Sequence, residues 1–332
     1  METNQTAKYK VAWLDTPHPE VEKINRALLP PEFSLVLPGA PDDNAELMQL
    51  VSDADFVMLT GIHADANLIR NMKKCKLIQK WGIGVDGIDL KAAQENGIPV
   101  AITAGANSIP VAELVIAHIL TLYRRILIAD ANTRAGRWIN KELRTQCSKI
   151  HGKKAGIIGM GNIGQHLSRI LRAFGAEVVY YDVRRLTDEK EAELGVRYES
   201  LDSICMTCDI ISLHVPYTPE TRHIIGEKEI SLMKPNAIII NAARGGLIDE
   251  SALLPALQNN LIGGAGLDVH EIGRPTEDYP FSKLDNVVLT PHNGGGTLDN
   301  VENVTLHAYS NMLKILKGEA IDPRDFAYPK NG

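Results

Sequence analysis

Ala155-Gly156-Ile157-Ile158-Gly159-Met160-Gly161-Asn162-Ile163-Gly164 is the stretch whose reading decides the fold. The first four residues are uncharged and end in two isoleucines, so they read as a buried strand. The strand runs directly into a Gly-x-Gly-x-x-Gly turn. A helix leaves the turn, with Ile163, Leu167, Ile170, Leu171 and Phe174 spaced to share one face. A second strand over 178–181 then ends at an acid, Asp182. Strand, glycine turn, helix, strand and acid together make the unit that binds a dinucleotide. Gly159 permits the tight turn, Gly161 lets backbone approach a pyrophosphate, and Gly164 lets helix and strand pack closely. Asn162 and Ile163 open the helix, whose N-terminus offers N–H groups and partial positive charge to phosphates. Asp182 can accept from the adenosine ribose and would repel a 2′-phosphate, which favours NAD over NADP. Arg184 and Arg185 pull the other way, because either could serve a 2′-phosphate.

Outward from this unit, β-branched apolar runs alternate with helical patterns in both directions, the signature of parallel βα units. Later strands are expected over 210–214, 237–241, 265–269 and 287–290, and a last helix over 300–316. An earlier series has strands over 10–14, 34–37, 56–60, 77–81 and 99–102, then one long helix over 111–129 that Asn107 or Ser108 can cap. The fold class is therefore α/β, with two Rossmann-like, doubly wound parallel sheets. The first domain is expected to be flavodoxin-like and discontinuous, over 1–103 plus 298–332, with the dinucleotide domain over 104–297. The first series lacks a glycine turn. Its opening strand meets Asp15-Thr16-Pro17-His18-Pro19, where two prolines remove N–H donors, so this domain is expected to hold the other reactant.

The chain has 332 residues, ample for two cores, and a net charge of -6 that speaks against nucleic acid or an acidic membrane surface as partner. Residues 1–10 are polar, and the longest apolar stretch is broken by Glu113 and His118. No secretory signal, no membrane span and a cytoplasmic location are expected. The chain ends soon after Leu316, which predicts no appended regulatory domain. Four cysteines do not make a disulfide framework. Cys205 and Cys208 lack the second ligand pair of a zinc site and read as core residues on a helix, so no metal is expected.

Ligands of open parallel sheets gather at the carboxyl ends of the strands. In the second series those ends carry His214, Arg244, Asp268 and His292. Reduction of a 2-keto acid needs a cation for the carboxylate, a proton donor for the developing alkoxide, and a held nicotinamide. The planar fork of an arginine suits the first task and a histidine the second.

The motifs as a set resemble the D-isomer-specific 2-hydroxyacid dehydrogenases. They are Gly82-Ile83-Gly84-Val85-Asp86-Gly87-Ile88-Asp89, Val111-Ala112-Glu113, the glycine turn, Leu213-His214-Val215-Pro216 with Thr218-Pro219-Glu220-Thr221, Asn241-Ala242-Ala243-Arg244-Gly245-Gly246, and Thr290-Pro291-His292. The resemblance implies that Arg244 binds the substrate carboxylate, with Ile83 and Gly84 helping from the first domain. It implies His292 as acid/base and Asp268 as holder of the nicotinamide amide. It places His214, Val215, Pro216, Thr221 and Ala242 along the cofactor, and it implies a homodimer joined through the long helix. In one place the sequence departs from the family. The Glu that supports the histidine in the family is replaced by Gly273, and Glu271, two residues earlier, would share its face on a strand. Two other readings compete: an NAD(H)-sensing corepressor of the same fold, and oxidation of formate or phosphite. Retention of Arg244 and His292 argues for an enzyme.

Overall fold

The computed structural model describes residues 8–328; the expectations for 1–7 and 329–332 lie outside the described residues. The chain forms two compact units, one of residues 1–107 with 296–332, the other of 108–295. Among the described residues no helix is long and apolar enough to cross a membrane.

The first unit is built on β1 (Tyr9–Trp13), β2 (Phe33–Val36), β3 (Phe56–Leu59), β4 (Leu77–Lys80) and β5 (Val100–Ala101), all parallel, in the order β2-β1-β3-β4-β5. Trp13, Phe33, Phe56 and Met58 pack from one face of the sheet against Ala308, Tyr309 and Met312. Those three lie on the Leu298–Lys317 helix, so the end of the chain completes the core of its beginning. Leu47, Ile69 and Ala92 cover the other face from three short helices. One further strand, lying beyond the last one read from the sequence, joins this sheet. It pairs antiparallel with β5 over Phe326–Tyr328. Just before it, Asp325 accepts from His307 Nε2 at 2.7 Å, tying that edge to the long helix.

The second unit holds the remaining strands. In chain order they are β6 (Lys154–Ile158), β7 (Glu177–Tyr181), β8 (Arg197–Tyr198), β9 (Ile210–Leu213), β10 (Ile238–Asn241), β11 (Gly264–Leu267) and β12 (Val287–Leu289). Their order in the sheet is β12-β11-β10-β9-β6-β7-β8. The chain thus starts in the middle, builds one wing, and crosses back to build the other. Strands β9, β10 and β11 are buried at every position, as expected where helices cover both faces of a parallel sheet. Cys205 and Cys208 are free and buried in this core, and burial pushes both thiols up to about 12. Gly156 makes room for Cys208 and Ile204: a Cβ there would meet Ile204 Cγ2 at 2.4 Å and Cys208 Sγ at 2.9 Å.

The long helix differs from the expectation. It runs Ser108–Arg124, breaks at Arg125, whose φ is 51°, and resumes as Ile126–Arg134. The side-chain oxygens of Asn107 and Ser108 are buried without a hydrogen-bond partner, so neither caps it.

Candidate active site

β6 and β9 are neighbours in the sheet, although the chain visits β7 and β8 between them. This is the point where the connections reverse direction and leave a crevice at the carboxyl ends. Gly159 leaves β6 there with φ 99°, and a Cβ on it would lie 2.6 Å from the His214 carbonyl oxygen. Glycine is required at this position on both counts. Gly164 rests against the same turn, with its Cβ position 2.3 Å from the Gly159 carbonyl oxygen, so the helix sits directly on the loop. Gly161 is different: a Cβ there would meet nothing within 4 Å. It faces open space at the start of the Asn162–Ala173 helix, which has no side-chain cap and no acid in its first turn. Uncapped N–H groups under open space fit a pyrophosphate.

Asp182 follows β7. Its carboxylate accepts from Met160 N at 2.7 Å and from Arg184 N at 3.0 Å, so it also shapes the glycine loop. Arg185 turns to other acids, with Nε 2.8 Å from Glu191 Oε1 and Nη2 3.4 Å from Asp188. His214 continues β9. Its Nε2 lies 2.8 Å from Ser212 Oγ, while its Nδ1 is shielded from water and has no partner. Burial drives its pKa down to about 3, so the ring is neutral at physiological pH. Beyond it, Val215 stands beside the space over Gly159. Thr221 Oγ1 closes the loop by donating to the Pro216 carbonyl at 2.7 Å and accepting from Thr218 N at 2.8 Å.

At the end of β10, Asn241 ties the next turn. Its Oδ1 accepts from Ala243 N at 3.1 Å and its Nδ2 donates to the Arg244 carbonyl at 2.8 Å. Ala242 is buried in this turn, and Arg244 Nη1 donates to the Ala243 carbonyl at 2.6 Å. Asp268, after β11, is 0% exposed. It accepts from Thr290 Oγ1 at 2.6 Å, Asn293 N at 3.0 Å and Gly294 N at 2.9 Å. The last two N–H groups belong to the turn that bears His292, whose own φ is 54°. A left-handed backbone at a non-glycine residue is a strained state that its surroundings must hold. The Asp268 carboxylate is part of those surroundings, because it holds the two amides that follow His292.

Glu271 does not follow the expectation. β11 ends at Leu267, so strand parity no longer applies four residues on, and Glu271 lies in a turn. Its Oε1 is 2.9 Å from His223 Nε2, and its backbone N–H donates to Glu250 at 2.8 Å. The carboxylate is thus engaged with His223, whose Nδ1 is 3.8 Å from Asp249. Gly273, standing where the family Glu is expected, has φ 78°, a conformation that disfavours glutamate there. The sequence reading assigned no individual role to His223, Thr290 or the buried His118. The one signal for His118 was a polar residue interrupting the most apolar helix.

In the first unit, Gly82 turns the chain out of β4 with φ 137°, and its carbonyl accepts from Thr103 N at 2.9 Å. Ile83 and Gly84 follow on this anchored loop. Asp15, after β1, receives Gly61 N at 2.6 Å and Ile62 N at 3.2 Å, so it fixes the loop after β3.

Residues 116–294 match the model of the D-isomer specific 2-hydroxyacid dehydrogenase, NAD binding domain. The chain belongs to the D-isomer specific 2-hydroxyacid dehydrogenase family. This D-2-hydroxyacid dehydrogenase relative is 41% identical over 276 residues to the D-3-phosphoglycerate dehydrogenase of Methanocaldococcus jannaschii, covering 82% of this chain and 52% of that one. It therefore spans about half the length of that relative. It is 40% identical over 288 residues to the glyoxylate reductase of Thermococcus litoralis, covering 85% of this chain and 86% of the other. The apo D-mandelate dehydrogenase of Rhodotorula graminis superposes with a TM-score of 0.85 at 25% identity, covering 96% and 98% of the two chains. The second unit is the family's NAD-binding domain, and the family is one of dehydrogenases and reductases. A corepressor reading is not favoured.

Proposed function

We propose that this chain is an NAD-dependent D-2-hydroxyacid dehydrogenase acting on a small 2-keto acid or 2-hydroxy acid. The observation that carries the reading is the turn at His292, a histidine in a left-handed backbone conformation, followed by two amides bound to the buried Asp268 at the end of the sheet that carries the glycine loop. Gly159, Gly161, Asn162, Ile163 and Gly164 would hold NADH, which would supply the hydride for the carbonyl carbon. The chain's own residues do the rest. Arg244 grips the substrate carboxylate with two parallel N–H groups and polarises the neighbouring carbonyl. For Ile83 and Gly84 the family resemblance implies a substrate-binding role. His292 gives its proton to the carbonyl oxygen as negative charge gathers there, and takes it back in the oxidative direction. Asp182 receives the adenosine ribose. His214, Val215, Pro216, Thr221 and Ala242 line the cofactor, and Asp268 serves the nicotinamide end by fixing the His292 turn. Glu271 stands by His223.

Two coarser features join this reading. The protein is a cytoplasmic enzyme of small molecules, with no nucleic acid as partner, and its net charge of -6 supports that. It is also a homodimer. The Ile126–Arg134 helix buries none of its residues within the chain, and Ile126, Leu127 and Trp138 are all exposed, Trp138 at 79%. Large apolar side chains left exposed along one segment support an interface there.

The test is a spectrophotometric screen of 2-keto acids with NADH and with NADPH. Turnover of at least one keto acid, with higher kcat/KM for NADH, is expected. Asp182→Ala should narrow the cofactor preference, because it removes the carboxylate that repels a 2′-phosphate. Absence of turnover across the screen would sink the activity, and equal use of both cofactors would sink the role of Asp182.

A further inference from the structure

His118 lies on the Ser108–Arg124 helix, 2% exposed, among the buried Val115, Ile119 and Leu122. It reaches across to β11 at Gly266, where a Cβ would stand 2.8 Å from its Nδ1. Only a glycine leaves room for the ring. On its other side, Nε2 lies 3.0 Å from Thr290 Oγ1, which is itself 2.6 Å from Asp268 Oδ1. The direction of these bonds follows from elementary bookkeeping of protons. An ionised carboxylate only accepts, so the single hydroxyl proton of Thr290 goes to Asp268. Thr290 oxygen must then accept from His118, whose proton is on Nε2. Nδ1 is left bare, and it is a buried atom without a hydrogen-bond partner. Burial lowers the pKa of the ring despite the nearby Asp268 charge, so the neutral form persists.

We infer that His118 is a positioning residue for proton transfer. Through Thr290 it orients the Asp268 carboxylate, and through Asp268 it fixes the Asn293 and Gly294 amides that hold His292 in its left-handed turn. The inference rests on the reading of His292 as proton donor. Burying an imidazole with one idle nitrogen is unfavourable, and a leucine would fill the same space without that penalty. What the leucine lacks is a donor at the reach of Nε2.

The test compares His118→Leu with His118→Gln, whose Nε2 extends about as far as that of histidine. In the leucine variant kcat for keto-acid reduction is expected to fall about tenfold or more, as misplacement of a reacting group does, with KM for NADH unchanged. The glutamine variant should recover most of the loss. Equal losses in the two variants, or a leucine variant as fast as the parent, would overturn the inference. Should the leucine variant not fold, Thr290→Val against Thr290→Ser makes the same comparison. Ring-nitrogen NMR of the parent should find His118 protonated at Nε2 only, and a proton on Nδ1 would overturn the direction of the relay. A parent that turns over no keto acid defeats the reading of His292. The linkage is then judged by hydrogen exchange at Asn293 and Gly294, expected to quicken in the leucine variant and overturned if unchanged.

Discussion

At Arg244 charge and shape can be separated. Its turn is held by Asn241 from both sides, so its backbone is set before any substrate arrives. Arg244→Lys keeps the charge and loses the planar fork. A fall in kcat/KM of at least about tenfold, or roughly 1.4 kcal/mol in the barrier, is expected, with NADH affinity unchanged in a fluorescence titration. His214 makes a second residue-scale prediction, in stability. Its folded pKa of about 3 lies below the ordinary histidine value. Between those values the unfolded chain holds a proton that the folded chain does not, so stability falls as pH falls. A single such group contributes a slope approaching about 1.4 kcal/mol per pH unit across that window. His214→Gln should flatten the denaturation profile between roughly pH 4 and 6 by that slope. Profiles that run parallel would contradict the neutral ring. The strand-parity argument for Glu271 fails at this scale for a definite reason. Side-chain alternation is a property of paired strand, and sequence does not mark where β11 stops, three residues before His270.

At the scale of elements, the glycine turn was the most legible part of the sequence. The spacing of Gly159, Gly161 and Gly164 follows from three separate geometric needs, and the structure distinguishes them. Gly164→Ala would press a methyl group against the Gly159 carbonyl oxygen, which as backbone cannot swing aside. Overpacking of this kind costs about 1–3 kcal/mol, so both melting temperature and NADH affinity should drop. Gly161→Ala meets open space at an ordinary φ of -73°. It should fold like the parent and still lose NADH affinity, because the methyl group occupies the phosphate's ground. Equal melting temperatures for the two variants would refute the distinction. The break at Arg125 was not legible. A left-handed arginine leaves no mark in an apolar periodicity, so two helices read as one. The short β8 and the antiparallel edge strand escaped for a similar reason, being two and three residues long.

At the scale of the whole molecule, association is the property to measure. A dimer would elute in light scattering at twice the 36.4 kDa of one chain. Leu127→Glu with Trp138→Glu should shift it to the single mass, since two carboxylates would be buried without partners. An unshifted dimer would place the interface elsewhere. The two-unit α/β architecture itself was legible, because alternating apolar runs and helices leave few other arrangements. The first unit closes only with the Leu298–Lys317 helix and the strand after it, whereas the second is one continuous run. That has a consequence in time. As the chain leaves the ribosome, the first five strands emerge early and wait, their aromatic face uncovered, while the whole second unit is made. Of the two units, the one whose synthesis starts earlier is thus the one completed later, and its apolar face stays uncovered for longer in the cell.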